Sequence, residues 1–156
     1  MSDDSQGLVW HVNRVVPPGD DPAFRLVLPD GRQRVWNVAD LLALPPTMLP
    51  AYTFVTDHGA HGPYRLQGAA LRDVVVAVWD GVWQEAEVVS ADGYSNRVQR
   101  EEVEGGNSAE IAPILLCYAA NDQPLTRRHG LIRLVVPSET DNALRQIKWV
   151  HAIRLR

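Results

Sequence analysis

Residues 111–156 read IAPILLCYAANDQPLTRRHGLIRLVVPSETDNALRQIKWVHAIRLR, and the fold class turns on them. The apolar run Ile111 to Ala119 has mixed period, so strand and helix are hard to separate there. Asn121-Asp122-Gln123-Pro124 is a tight turn. Leu131 to Val136 reads as an apolar strand that Pro137 closes. From Ile147 to Arg156, apolar and polar residues alternate, setting Ile147, Trp149, His151, Ile153 and Leu155 on one face of a half-buried terminal strand. The cations of this stretch sit beside strand ends and turns, not along a helix face. That placement suits an anion held at the rim of a β-rich core.

Upstream, Ser2 to Gly7 is polar and reads as a flexible N-terminus, and Leu8 to Val16 as a first strand. Phe24 to Leu28, Pro29-Asp30-Gly31 and Arg32 to Trp36 form a strand-turn-strand hairpin, because Asp-Gly accepts the positive φ of a tight turn. Asn37 is an N-cap for a short helix, Val38 to Leu44, stopped by Pro45-Pro46. Tyr52 to Thr56 is a short β-prone run before a polar loop, Asp57 to Pro63, and Tyr64 to Gln67 is briefly extended. In Ala70 to Val78, Leu71, Val74, Val75 and Val78 share a helical face. Glu87 to Ser90 and Ser95 to Gln99 are strands joined by a turn. The acidic, Gly-rich Glu101 to Asn107 is a loop, as is Ser138 to Asn142. Many short strands with two or three short helices predict an α+β, β-rich single domain over residues 8–156.

The chain has 156 residues and a formal net charge of −4, enough for one domain with a real core. Mild acidity speaks against general nucleic-acid binding but leaves room for a local basic pocket. The single cysteine, Cys117, excludes an internal disulfide. The first ten residues carry neither a basic nor an apolar signal region, and no apolar run approaches a membrane span, so a cytoplasmic location and no membrane partner are expected. Lys148 is the only lysine among fifteen Lys and Arg, which makes it worth following.

The order of these pieces resembles the molybdopterin-binding domain of the sulfite oxidase family, from about Leu8 to the end. Gly68-Ala69-Ala70-Leu71-Arg72-Asp73-Val74-Val75 resembles the family's Gly-Val-x-Leu-x-Asp-Leu-Leu segment. Ser90-Ala91-Asp92-Gly93-Tyr94 resembles its Ser-x-Asp-Gly-Tyr turn. Asn121 to Trp149 resembles its Asn-Gly-x-Pro-Leu, His-Gly-x-Pro-x-Arg-x-x-x-Pro and Lys-Trp elements, with Asp122 and Ile132 where the family tends to have Gly and Pro. The resemblance implies the sulfite oxidase fold and a pterin or molybdopterin site in which His129, Arg133 and Lys148 lie around the pterin and its phosphate. Guanidinium and ammonium groups suit that phosphate. The resemblance also implies a molybdenum-binding cysteine after Tyr52 to Thr56. That position falls at or near Asp57, with His58 next, so thiolate-ligated molybdenum is not expected.

Each candidate has a plainer reading beside the sharper one. Asp57, His58 and His61 either line the mouth of the pocket or form a polar loop bonded locally. Carboxylate and imidazole suit a divalent ion, but no metal site is assigned. His129 either contacts the ligand or is satisfied by backbone carbonyls. Arg133, alternating with apolar neighbours, faces an anion or water, and Lys148 likewise. Tyr94 flanks a ring or fills the core, Asp92 shapes its turn, and Arg127 and Arg128 belong to a solvated face. Cys117 reads as a small core residue. The five tryptophans are core by default. Three functions are consistent with these residues. The first is a module that binds a pterin-type ligand. The second is a molybdopterin-dependent oxidoreductase in which Asp57, or no protein group, holds the metal. The third is an interaction domain with an empty site.

Overall fold

The computed structural model describes residues 21–56, 59–105, 112–138 and 145–156. The N-terminal tail, the strand expected at Leu8 to Val16, Trp10, Asp57 and His58 lie outside the described residues.

Two five-stranded sheets make an α+β, β-rich fold. The first holds β1 (Phe24–Val27), β2 (Gln33–Trp36), β5 (Glu85–Ser90), β6 (Ser95–Gln99) and β10 (Val150–Leu155), in the order β2-β1-β10-β5-β6. It is mixed: β10 runs parallel to β1 and antiparallel to β5. The second is antiparallel, β3 (Pro46–Thr56), β4 (Gly59–Ala70), β7 (Leu115–Ala120) and β8 (Gln123–Pro124) in that order, with β9 (Arg133–Val135) also on β7. The helices are α1 (Val38–Leu42), α2 (Leu71–Val76) and α3 (Arg100–Gly105). Among the described residues, no helix is long and apolar enough to cross a membrane.

Local chemistry accounts for several of these elements. Gly31 takes φ +90° in the β1–β2 turn. Asn37 caps α1 in a reciprocal capping box with Asp40, as its position predicts. Where a loop was expected at Glu101 to Asn107, α3 forms instead over its first part. Glu102 accepts from the Gln99 backbone N–H at 2.7 Å, Arg100 pairs with Glu104 one turn on, and Val103 is buried. Pro46 does not end the chain's regular structure. It opens β3, whose place at the sheet edge tolerates proline. The supposed loop residues His61, Gly62 and Pro63 belong to β4. The ambiguous run after Ile111 resolves as the strand β7.

β-Strand alternation divides the interior into two apolar clusters. The larger joins Leu26, Val88 and Ile153 of the first sheet to Leu116 and Leu134 of the second, with Leu41, Val74 and Val103 from the helices. On the other face of the second sheet, Leu115, Cys117 and Val135 meet Phe54, Tyr64 and Leu66. Trp36, Trp83 and Trp149 are buried, as expected, and Trp79 packs against the larger cluster. In β10 the expected one-face pattern fails. A register shift between Val150 and Ala152 turns His151 out to solvent while Ala152 and Ile153 are both buried.

Gly68 explains part of the Gly-x-x-Leu-x-Asp segment. β4 lies so close to β7 there that a Cβ would stand 2.3 Å from the Leu116 carbonyl oxygen and 2.8 Å from Cys117 Cα. Both obstacles are backbone. Gly68→Ala is therefore expected to destabilise the fold by about 1–3 kcal/mol, read as a lower urea midpoint. Gly105→Ala meets nothing within 4 Å and is expected to leave the midpoint nearly unchanged.

Candidate functional site

Alternation in β9 sends Leu134 into the larger cluster and Arg133 and Val135 to the opposite face. Arg133 is only 3% exposed, which settles the sequence alternatives against water. Its guanidinium carbon lies 5.6 Å from the centre of the Phe54 ring, and Nη1 donates to the His129 carbonyl at 3.3 Å. Burial pulls its pKa down to about 9, and nearby Cys117 and Tyr64 partly restore it.

Lys148 reaches the same place through backbone pairing. Ile147 exchanges hydrogen bonds with Leu134 at 2.9 and 3.2 Å, and the Trp149 N–H donates to the Gly130 carbonyl at 2.9 Å. Nζ stands 4.9 Å from the Trp149 ring centre. Burial first, and the charge of Arg133 second, lower the lysine pKa to about 8, against a smaller upward pull from Asp92.

Gly130 joins the two cations. It adopts φ +101°, and a Cβ there would lie 2.9 Å from Arg133 Cγ and 3.1 Å from Lys148 Cβ. Leu131, next to it, and Trp149, on the segment paired with it, also hold positive φ, 57° and 52°, a region that costs side-chain-bearing residues about 1–3 kcal/mol each. The Leu131 N–H donates to the Thr126 carbonyl at 3.1 Å, and the Trp149 indole N–H donates to the Arg127 carbonyl. His129 ends the 3-10 turn Arg127–His129, is 7% exposed, and shares a hydrogen bond between Nδ1 and the Thr126 hydroxyl at 3.0 Å. Arg127 and Arg128 are exposed, as expected.

The structure thus brings His129, Arg133 and Lys148 together. The β5–β6 turn docks beside them, with the Ala91 N–H donating to the Trp149 carbonyl at 2.8 Å. Asp92 closes that turn by accepting from the Tyr94 N–H at 3.1 Å, the role its position predicts. Tyr94 is 48% exposed at the turn, so it is not core. His61 pairs with Phe54 across β3 and β4, and its buried Nε2 has no hydrogen-bond partner among the described residues. Sequence reasoning missed Phe54, Tyr52 and Gln146. Gln146 Nε2 donates to the Tyr52 hydroxyl at 2.8 Å, and Tyr52 packs edge-on against Phe54 at 4.9 Å. The available signal was spacing: Gln146 stands two residues before Lys148.

Cys117 is buried, as expected, yet it lies directly across the ladder from Arg133. Its thiol donates to the Ala119 carbonyl at 3.3 Å, and burial pushes its pKa up to about 11. No group of three or more His, Cys, Asp and Glu that fits a metal ion occurs among the described residues.

Buried His129 and Arg133 and half-buried Lys148 thus lie together beside aromatic rings on a β-rich scaffold. A sequence model of the oxidoreductase molybdopterin binding domain family matches residues 24–156, and the chain belongs to that family. No curated protein matches. Among solved structures, the sulfane dehydrogenase SoxCD from Paracoccus pantotrophus superposes with a TM-score of 0.65 and 17% identity. The match covers 85% of this chain and 37% of that one, so this chain spans well under half of that longer chain.

The lowered lysine pKa has a measurable sign. Below about pH 8, folded and unfolded chains both hold the Lys148 proton, and the cost of burying its charge is present in full. Above about 8 the folded protein sheds it, whereas the unfolded chain keeps it to about 10.5, so this group adds stability as pH rises through that window. The urea midpoint of wild type relative to Lys148→Met is expected to climb between pH 7.5 and 9. A flat difference counts against a buried lysine.

Proposed function

We propose that this domain holds a pterin-type ligand carrying an anionic group, with His129, Arg133 and Lys148 gripping the anion. The observation that carries this reading is the packing of Arg133 against Lys148 around Gly130. Two like charges withdrawn from water destabilise each other, and both have pKa values below the ordinary range. An anion between them removes that penalty. Phe54 and Tyr52 supply aromatic surroundings beside the cations, Tyr52 set edge-on to Phe54, and Tyr94 stands at the exposed side. Family membership supports molybdopterin as the ligand class.

The residues present fit the phosphate and ring of such a group better than its metal. Its dithiolene would supply molybdenum ligation and redox chemistry. This chain offers Asp57 where a thiolate is expected, and Cys117 is protonated and enclosed. The chain's own work in this reading is to bind, orient and shield the ligand. Asp57, His58 and His61 remain further candidates for ligand contact in this proposal. A second reading, a molybdenum oxidoreductase with Asp57 or no protein group on the metal, is favoured by the family's oxidoreductase description.

Mass spectrometry and fluorescence of the small molecule released on denaturation, with elemental analysis, separate these readings. A pterin without molybdenum supports the binding module, and stoichiometric molybdenum supports the enzyme. Arg133→Met tests the grip itself. Calorimetric titration with inorganic phosphate at pH 7 is expected to show about tenfold or greater weakening. The variant's urea midpoint is expected to hold or rise, because a buried charge has been removed. Phosphate affinity of the wild type is expected to fall as pH rises past about 8 and then 9, as the two cations lose their protons. Unchanged phosphate binding in Arg133→Met means that Arg133 does not hold the anion and counts against the proposed site.

A further inference from the structure

Gln146 is 9% exposed, and its amide is fixed at one end by donation to the Tyr52 hydroxyl. The other end, Oε1, is buried with no hydrogen-bond partner among the described residues. An enclosed carbonyl oxygen left without a donor bears the full cost of its lost hydration. Such groups are rare in folded proteins and call for a reason. The neighbourhood supplies one. Tyr52 meets Phe54 edge-on at 4.9 Å, and Phe54 lies beneath the Arg133 guanidinium at 5.6 Å. His61, the register partner of Phe54, presents a second buried nitrogen in the same condition. Two polar atoms thus border one aromatic wall, and the cation cluster stands at its other end. Gln146 and Lys148 flank Ile147, which packs into the larger core and pairs with Leu134 of β9, the residue after Arg133.

We infer that Gln146 Oε1 accepts a hydrogen bond from a ring N–H or amino group of the bound heterocycle, with His61 Nε2 as a second polar contact at the ring edge. This rests on the reading that the cation cluster holds the ligand's anion, and it adds what that cluster cannot supply. Arg133 and Lys148 register charge and accept any phosphate of suitable size. Gln146 requires a flat ring with a donating edge, the amino-pyrimidinone edge of a pterin, and so determines specificity. A site built to hydrogen-bond an N–H rejects analogues that lack it, because the buried acceptor is then left unpaired.

Two probes separate the two halves of the site. One is 6-hydroxymethylpterin, which has the ring and no phosphate, followed by its fluorescence. The other is inorganic phosphate, followed by calorimetry. In Gln146→Met, which keeps length and loses the acceptor, affinity for the pterin is expected to fall about tenfold while that for phosphate holds. Tyr52→Phe keeps the ring and releases the amide from its anchor. It should lower pterin affinity alone, and it carries the test if Gln146→Met does not fold. Equal pterin affinity in the wild type and the folded variants overturns the role of Gln146 while leaving the cation cluster as an anion site. Wild-type protein that binds phosphate but not the pterin also overturns it. If the wild type binds neither probe, the anion site fails as well.

Discussion

The site depends on a close approach of like charges. Arg133 and Lys148 come from segments that pair edge to edge, and Gly130 lets their side-chain stems meet. Burial lowers the pKa of both, and the charge of Arg133 lowers that of Lys148 further. A fold has no reason of its own to collect such a pair. Apolar residues of similar volume would pack there with less cost. The arrangement makes physical sense as half of a larger one, in which negative charge arrives from outside the chain.

The scaffold enforces that approach through the second sheet. β9 has one face in each apolar cluster, so its alternation decides that Arg133 lies beside Phe54 and Cys117 rather than in solvent. The backbone is held in the left-handed region at Leu131, next to Gly130, and at Trp149 on the segment paired with it, each tied by a hydrogen bond from its own N–H. Residues kept in such conformations persist only when their surroundings over-determine them. Here the surroundings are the Thr126 and Gly130 carbonyls and the docked β5–β6 turn.

Much of this was legible in the residues. The Asp30-Gly31 hairpin, the Asn37 cap and the Asp92 turn each rest on one local hydrogen bond or one φ angle, and local chemistry announces itself in sequence. The grouping of His129, Arg133 and Lys148 was legible through family resemblance, since nothing in their spacing alone brings them together. Other features depend on partners remote in the chain. Alternation identified the two faces of β9 but not that a second cluster covers the one bearing Arg133. The acidic composition around Glu102 hid a helix whose anchor is one buried valine, Val103. Pro45-Pro46 does follow the end of the first helix, but β3 starts at Pro46, well before the expected Tyr52, because edge position is a property of the sheet, not of the segment. A one-residue shift in β10 reversed the expected direction of His151. Gln146 went unnoticed because its meaning lies in Tyr52, which is distant in sequence.

β10 sits in the middle of the first sheet, between β1 and β5, although it comes after every other described strand in chain order. Its parallel partnership with β1 links Arg25 to Ala152 and Leu26 to Ile153. Until the C-terminal segment emerges from the ribosome, β1–β2 and β5–β6 are separate hairpins with no strand to join them. Closing a loop of that length precedes any reward from the contacts it creates, which makes the step slow. Lys148 travels on the same segment, two residues ahead of β10. Completion of the sheet and arrival of the second cation beside the first are therefore one folding event.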